Sequence, residues 1–552
     1  MKEKGTDSEV PARPVAAGAR TKDLIARRRA FAIISHPDAG KTTLTEKFLL
    51  YGGAVQLAGS VTARRREQST SSDWMEIERK RGISVSSTVL QFGYSGYYIN
   101  LLDTPGHRDF SEDTYRVLMA VDSVIMLLDA AKGIEAQTFK LFEICRLRNI
   151  PIFTFINKLD RPSREPLELL DEIEQSLGLR TWPANWPLGS GREFKGVLDR
   201  RGDRLHFFDR IPKGAHMAPE TVTDRSDAEL AARLDSHTYG RVAEELAVLD
   251  GAGEPLDLAA VREGRLTPVF FGSAMNNFGV RLLLDGFLEF SLPPRPQLSS
   301  AGPVAPDDPR FSGFVFKIQS NMDPRHRDQI AFVRVCSGRF ERDMKIIHTR
   351  TGAELRLSST HKLFGRERET VDEAFAGDII GVVGHPEFRI GDTLSSDPSI
   401  VYPPIPRFAP EHFAFVRCAD TAAQKKFRIG LAHLLQEGVV QSFDLEGEPL
   451  RFSLLGAVGP LQFEVLRHRL QSEYGAAASL EEARWTIIRW AAGGPDSITE
   501  SMLPSGCRLA RDRDGNTVAL FAREWDLRYF GERHPSVELL KLPPASAPAE
   551  GE

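Results

Sequence analysis

The stretch that most constrains this chain is Phe31–Thr43, which reads FAIISHPDAGKTT. An apolar run that feeds a Gly-Lys-Thr turn is the pattern of a buried strand, a phosphate loop and the start of a helix. The loop core is Ser35, His36, Pro37, Asp38, Ala39, Gly40, Lys41 and Thr42, with Thr43 beside it. Its backbone N–H groups can cradle a β-phosphate, and a helix starting near Lys41 adds its positive end. Lys41 is spaced to reach the β- and γ-phosphates, and Thr42 to hold Mg²⁺ through its hydroxyl. Ser35 stands where the generic motif has Gly. His36 is expected to pack or hydrogen-bond locally rather than do chemistry.

A chain of 552 residues exceeds what one hydrophobic core supports, so two to four domains are expected. The formal net charge of −5 leaves no blanket basic face. Contact with nucleic acid then runs through local patches or within a larger assembly. Cys145, Cys336, Cys418 and Cys507 lack metal-ligand spacing and read as small hydrophobes in a reducing compartment. No apolar run reaches the roughly 18 residues of a membrane span. The first 22 residues carry no apolar signal segment and are expected to form a floppy tail. The expected location is the cytoplasm.

From about residue 30 to 290, strand-like and helix-like runs alternate. Strands are expected at Phe31–Ser35, Val85–Phe92, Tyr97–Leu102, Ser123–Leu128, Pro151–Ile156 and Arg265–Phe271. Helices are expected over Leu44–Tyr51, Phe110–Ala120, Glu135–Arg148, Leu167–Ser176 and Val280–Phe290. That alternation argues for a largely parallel sheet covered on both faces. Val55–Ser87, with Arg64, Arg65 and Arg66, is a long polar segment of the kind that sits beside ligand sites. Residues 182–265 read as an irregular insert. A Pro/Ser/Ala-rich linker follows Pro293, and then short β-type runs at Gly313–Gln319, Gln329–Ser337 and Asp378–Val383 suggest a small barrel. After a second proline-rich joint at Pro403–Pro410, the order strand, helix, strand, strand, helix is a split β-α-β pattern. A strand-like run at Trp485–Trp490 and a helix at Arg523–Glu532 follow, and the end beyond Val537 is expected to fray.

Three later patterns narrow the nucleotide. Leu101–His107 is an apolar strand ending in Asp103, followed by Thr104-Pro105-Gly106-His107. A carboxylate at a strand end can hold the Mg²⁺ water shell, and Gly106 can give its N–H to a γ-phosphate. Asn157-Lys158-Leu159-Asp160 follows another buried strand. Asp160 can accept both N1–H and N2–H₂ of guanine, a pairing that adenine cannot supply, while Asn157 braces the loop and Lys158 lies across the base. Gly272-Ser273-Ala274 then brings Ser273 and Ala274 to guanine O6. Each pattern closes a strand on one edge of the sheet, where ligands of open α/β sheets bind. His107 is the catalytic candidate, placed to orient and polarise the attacking water. Ser84, in Arg81-Gly82-Ile83-Ser84, can supply a second hydroxyl to Mg²⁺. Asp129 and Lys132 read as structural or rim residues, and Arg108 is the nearest contender for a cis arginine finger.

Together, SHPDAGKTT, RGIS, DTPGHRDF, NKLD and FGSA resemble the motifs of the translational GTPases. The stretches Ser72–Val85, Leu101–Arg116, Phe311–Phe332 and Gly456–Leu466, with Ser472–Tyr474, are similar more narrowly to the bacterial release factor 3 family. The resemblance spans about residues 30–535. It implies a fold of three parts: an α/β P-loop GTPase domain, a small β-barrel domain and an α/β split β-α-β C-terminal domain. The expected layout is a tail at 1–22, the GTP-binding domain at 23–292, a linker at 293–310, the barrel at 311–402, the third domain at 403–540 and a tail at 541–552.

The resemblance also implies GTP and GDP as ligands, with Mg²⁺. It implies a partner in the bacterial 70S ribosome with its RNA, interplay with class-I release factors, and no membrane or DNA partner. Lys41, Thr42 and Ser84 then meet phosphate or Mg²⁺, His107 positions water, and Asn157, Lys158, Asp160 and Ser273 read guanine. The implied activity is ribosome-stimulated GTP hydrolysis that promotes dissociation of class-I factors after peptide release. Another elongation or remodelling GTPase and a non-catalytic GTP-gated scaffold are the rivals. The roughly 260 residues after Pro293 disfavour a translocase, and intact Lys41, Asp103 and His107 disfavour a scaffold. Ser84 departs from the Thr usual in the wider superfamily.

Overall fold

The computed structural model describes residues 17–53, 78, 84–209, 220–252, 255–321, 328–364, 367–445, 453–493 and 497–544. Arg64–Arg66 and Arg81–Ile83 therefore lie outside the described residues. The first eleven strands are β1 (Arg28–Ser35), β2 (Thr88–Tyr94), β3 (Tyr97–Asp103), β4 (Ser123–Asp129), β5 (Ile152–Asn157), β6 (Arg180–Pro183), β7 (Asn185–Leu188), β8 (Gly196–Asp199), β9 (Arg204–Phe208), β10 (Glu220–Asp224) and β11 (Leu266–Phe271). Seven form the main sheet in the order β2-β3-β1-β4-β5-β11-β6. All its neighbours run parallel except the β2–β3 hairpin.

β1, β4, β5 and β11 are buried along their whole lengths, which is why they read as unbroken apolar runs rather than alternating ones. Phe31, Ile33, Leu127 and Phe153 pack on one face with Phe48 and Phe287. Ile34, Met126 and Ile156 pack on the other with Val117, Leu141 and Ile173. The register brings the strand ends level: Ile33 stands beside Asp103, Ser35 beside Leu127, Asp129 beside Asn157, and Ile156 beside Phe271. The β2–β3 turn uses Ser95 and Gly96 at φ 47° and 79°, the left-handed pair that a two-residue hairpin needs.

The insert departs from expectation. β10, β9, β8 and β7 form their own four-stranded antiparallel sheet, and helices Asp227–Arg233, Ser236–Ala252 and Leu258–Arg262 follow. The strands escape notice because all four span only four or five residues, too few for a period to show. Trp186 anchors this sheet: its ring packs edge-on to Phe271 at 5.3 Å, and Nε1 donates to Glu245 Oε2 at 2.9 Å.

The expected linker carries a small hairpin, Gln297–Ser299 with Gly302–Val304. Beyond it, the strand pair Ser312–Ser320 and Gln329–Ser337 centres an eight-stranded sheet around a core of Val315, Val333, Ile380 and Leu394. In the third domain, helices Gln424–Gln436 and Pro460–Tyr474 cover one face of a second eight-stranded sheet through Phe427, Leu434, Leu466 and Leu470. Its first four strands keep the split β-α-β order, and Arg508–Asp512 with Thr517–Phe521 extend it as an unforeseen hairpin.

Two described elements lie where a tail or fraying was expected. Helix Ala17–Ala26 begins inside the expected tail, with Ile25 and Leu24 packed on Phe375 and Ala376 of the barrel. At the other end Leu539–Leu540 pairs with Ile487–Ala491. The domains meet through buried polar contacts. Arg28 donates to Asp378 at 2.7 Å, Gln91 to the Ile379 carbonyl at 2.8 Å, and Arg334 to Asp122 at 2.5 Å. The three-part fold class read from the sequence is the one observed.

Candidate nucleotide site

The site gathers at the level edge where β1, β3, β4, β5 and β11 end. After Ser35 the chain turns through His36 and Pro37, takes Asp38 at φ 66°, and reaches Gly40 at φ 101°. Gly40 caps helix Lys41–Tyr51 and, having no side chain, makes no side-chain cap bond. The positive end of the helix faces the loop. A Cβ at residue 40 would lie 2.5 Å from Asn157 Nδ2 in an already left-handed backbone, so glycine is required there twice over. Ser35 Oγ and both His36 ring nitrogens are buried without a hydrogen-bond partner, three polar atoms in one loop. Burial holds the His36 imidazole below its ordinary pKa, against the opposing pull of Glu135, whose Oε2 lies 3.4 Å from Nε2.

Lys41 is itself buried and donates to Asp103 Oδ1 at 2.9 Å and to the Thr104 carbonyl. Thr104 Oγ1 donates to the Ile33 carbonyl at 2.7 Å and pins the end of β3 to β1. Gly106 passes close over the loop: a Cβ there would stand 3.7 Å from Pro37 Cα. Thr42 and Thr43 fill the first helical turn, and Asp103 is buried at its strand end. Among the described residues no three His, Cys, Asp or Glu cluster as a metal cage. A single buried carboxylate beside a helix-start hydroxyl instead fits a hard cation that shares its shell with phosphate and water.

Asn157 is the keystone of the edge. Its Nδ2 donates to the Ala39 carbonyl at 2.8 Å, and its Oδ1 accepts the Ala274 N–H at 2.8 Å. One buried amide thus joins the phosphate loop to the Gly272-Ser273-Ala274 loop. Lys158 stands at φ 71° and spans the same gap, donating to the Asp38 carbonyl and to Asp129 Oδ2 at 2.8 Å. Burial alone would raise the Asp129 pKa, but the bonds from Lys158 and the Ala131 N–H outweigh it and hold the carboxyl low. Asp129, read from the sequence as a structural or rim residue, therefore fixes Lys158. Its signal was its position: it ends an apolar strand level with Asn157.

Asp160 is half-buried in the turn after Lys158, whose carbonyl accepts the Arg161 N–H at 3.0 Å. The Leu159 N–H reaches the Gly272 carbonyl at 3.2 Å and holds the two loops side by side. Ser273 and Ala274 are both buried, with Ser273 closing a tight turn to Phe278 by paired backbone bonds at 2.9 and 3.0 Å. Asn185, from the insert, clamps the end of β11: its Oδ1 accepts the Phe271 N–H at 2.6 Å, and its Nδ2 donates to the Phe271 carbonyl at 3.1 Å. No sequence pattern pointed to Asn185.

His107 is one-third exposed. Its Nδ1 accepts the Asp109 N–H at 3.3 Å and caps the short turn Arg108–Phe110. Arg108 points outward, 71% exposed, with Nε 3.6 Å from Asp109 Oδ1. Ser84 is half-buried at the start of a stretch held from two sides. Glu78 Oε1 accepts the N–H groups of Val85 and Ser86 at 2.9 and 3.3 Å, and Asp113 Oδ2 accepts that of Ser87 at 2.7 Å. Lys317 of the barrel donates to Ser86 Oγ at 2.7 Å and to Ser87 Oγ at 2.9 Å. These backbone bonds lead outward rather than into a ladder, which explains why β2 starts at Thr88 and not at Val85.

Residues 26–293 match the elongation factor Tu GTP binding domain, residues 310–397 match elongation factor G domain 2, and residues 402–531 match the class II release factor RF3, C-terminal domain. Over 526 residues the chain is 52% identical to the peptide chain release factor 3 of a Synechococcus species, covering 95% of each chain. Against that of Gloeobacter violaceus it is 53% identical over 521 residues, 94% of this chain and 98% of the relative. A crystal structure of a Thermus thermophilus protein shares the fold at a TM-score of 0.67 and 22% identity, over 88% of this chain and 72% of that one. Three matching domains in order and near-complete coverage at half identity lead to one conclusion: this chain is a GTPase and belongs to the peptide chain release factor 3 family.

Proposed function

We propose that this protein acts in the cytoplasm as a ribosome-stimulated GTPase of translation termination, promoting departure of class-I release factors after peptide release. The observation that carries the proposal is the level edge of the sheet, where five strand ends bring a phosphate loop and a guanine pocket together. In this reading Lys41 leaves Asp103 for the β- and γ-phosphates when nucleotide enters, a trade of one anion for another within a short reach. Ser35, His36, Asp38, Ala39, Gly40, Thr42 and Thr43 line the phosphates through backbone and hydroxyl donors, and Pro37, which has no N–H to give, shapes the loop against them. Gly106 gives its N–H to the γ-phosphate. Asp160 accepts from the guanine edge, Lys158 covers the base, and Asn157, Ser273 and Ala274 hold the pocket in shape.

Thr42, Ser84 and Asp103 would hold Mg²⁺, which supplies charge neutralisation between the β- and γ-phosphates when bound. His107 is the water-positioning residue. Because its Nδ1 accepts from backbone in the neutral ring, Nε2 carries the hydrogen and acts as a donor. That suits holding a water or a γ-phosphate oxygen rather than removing a proton. No described helix is long and apolar enough to cross a membrane. The 70S ribosome, with its RNA, is the proposed partner surface for the GTP-bound arrangement. The test measures GTP turnover with and without bacterial 70S ribosomes, and release of a labelled class-I factor from post-hydrolysis ribosomes under GTP, GDP and a non-hydrolysable analogue. Stimulated turnover with nucleotide-dependent factor release is expected. Factor release that ignores the nucleotide would overturn the proposal.

A further inference from the structure

Helix Pro460–Tyr474 of the third domain begins at Gly459, whose extended backbone is that of an N-cap. A cap residue normally turns its side-chain oxygen onto an N–H of the first turn, and glycine has none to turn. Half of the cap is supplied locally: Gln462 Oε1 accepts the Val458 and Gly459 N–H groups at 2.7 and 3.2 Å. The other half comes from the far end of the chain. Asp109 Oδ2 accepts the Leu461 N–H at 2.9 Å across 352 positions. A Cβ on residue 459 would fall 2.1 Å from Asp109 Cγ, so this carboxylate sits where the missing cap side chain would be.

The same carboxylate faces His107. Asp109 is 2% exposed at its side chain, and its Oδ1 lies 3.2 Å from His107 Nδ1. Its own N–H is the donor to that nitrogen. A second tether holds the following helix, Ser111–Met119, to the same place: Arg116 Nη1 donates to the Glu437 carbonyl at 3.2 Å. We propose that Asp109 is a positioning residue through which docking of the third domain sets the orientation of the His107 imidazole. With the helix docked, the Leu461 N–H and the dipole at that helix terminus fix one carboxylate oxygen. Fixing the carboxylate fixes the Asp109 backbone, whose N–H donates to Nδ1 and aligns the ring. With the helix withdrawn, Asp109 loses its buried partner and the imidazole its reference.

The inference rests on the reading of His107 as the water-positioning residue, and the test separates the two. It uses full-length protein on saturating 70S ribosomes, in single-turnover GTP hydrolysis, with four variants: His107→Ala, Asp109→Ala, Asp109→Asn, and Asp109→Ala combined with Gly459→Ser. The combined variant gives the helix a cap of its own in the space that Asp109 vacates. Asp109→Ala is expected to slow hydrolysis about tenfold, while the ribosome concentration at half-maximal rate and the GTP affinity stay within about twofold. Adding Gly459→Ser is expected to restore thermal stability without restoring the rate. Asp109→Asn still accepts from Leu461 and faces Nδ1, so it should stay within about threefold of wild type. If the rate returns with Gly459→Ser, Asp109 is only a cap and the inference falls. If His107→Ala is slow while Asp109→Ala is not, the inference alone falls. If His107→Ala is itself unimpaired, the reading of His107 falls and takes the inference with it.

Discussion

Asn157→Ala tests the architecture of the site most directly. The amide is 2% exposed and makes two bonds of 2.8 Å, one to each of two separate loops. Truncation orphans the Ala39 carbonyl and the Ala274 N–H in a water-poor place. Each orphaned group costs about 1–3 kcal/mol, and partial relaxation brings the pair to about 2–4 kcal/mol. In the free protein that cost appears as loosened loops. Bound nucleotide must then restore their order, so the loss appears in affinity. A cost of about 2 kcal/mol corresponds to about 30-fold in Kd. The assay is equilibrium titration with a fluorescent GDP analogue, paired with urea unfolding of the nucleotide-free protein. Affinity should weaken about 30-fold or more. Asn157→Asp, which keeps the acceptor for Ala274 but turns a carboxylate on the Ala39 carbonyl, should bind no better than the alanine variant. A Kd within about threefold of wild type, in a variant with wild-type circular dichroism, would refute the bracing argument and leave Asn157 an ordinary buried amide.

Asp160→Asn should shift binding from guanine toward xanthine nucleotides, read by competition titration, because the amide inverts the donor and acceptor pattern at the base edge. Arg334→Ala should lower stability by about 2–4 kcal/mol in urea unfolding, since Asp122, at 2% side-chain exposure, loses its hydrogen-bonded cation and keeps only the more distant pull of Arg29 and Arg295. Acid should weaken the nucleotide-free protein through His36. Its folded-state pKa is held low by burial, so its contribution is complete above the unfolded value near pH 6.5 and is lost as pH falls toward the depressed folded value. His36→Phe should flatten part of that slope in urea midpoints measured from about pH 7.5 to 5. His433, also lowered by burial, accounts for a remaining portion of the same sign.

The edge of the candidate site was legible because each of its motifs follows a buried apolar run. Four apolar residues ahead of Ser35, and comparable runs ahead of Asp103, Asn157 and Gly272, mark both the strand and its exit point. What escaped were contacts made between distant segments. Asn185 lies 86 positions from the strand end it clamps, in a strand too short to announce itself. Asp109 sits in a recognised motif, yet its partner is a backbone N–H of another domain, which leaves no mark on residue type at Leu461. The third-domain hairpin did carry a signal, the Asp514-Gly515 pair between two β-rich runs. The charged residues Arg511, Asp512 and Arg513 just ahead of that pair hid the alternation of the first strand. Helix Ala17–Ala26 was missed because its stabilisation comes from Phe375, not from its own modest amphipathicity.

The tethers around helix Ser111–Met119 make up one charged network rather than a set of separate contacts. Glu437 gives its carbonyl to Arg116, and its carboxylate accepts the Ser320 N–H of the barrel at 2.9 Å. That carboxylate also receives Arg469, which in turn holds Glu473 at 2.6 Å. Burial alone would depress the Arg469 guanidinium, but Glu437 and Glu473 more than reverse it. Arg469 and Glu437 are 3% and 6% exposed at their side chains, so neither can find water if the other leaves. Breaking one buried pair strands an uncompensated charge at a cost of about 3–5 kcal/mol. Separating the barrel from the third domain at this point would strip Glu437 of the Ser320 N–H, while helix Ser111–Met119 is tied to the same residue through Arg116. Glu437 thus joins the first domain, the barrel and the third domain at one buried residue, where a shift in any one of them reaches the other two.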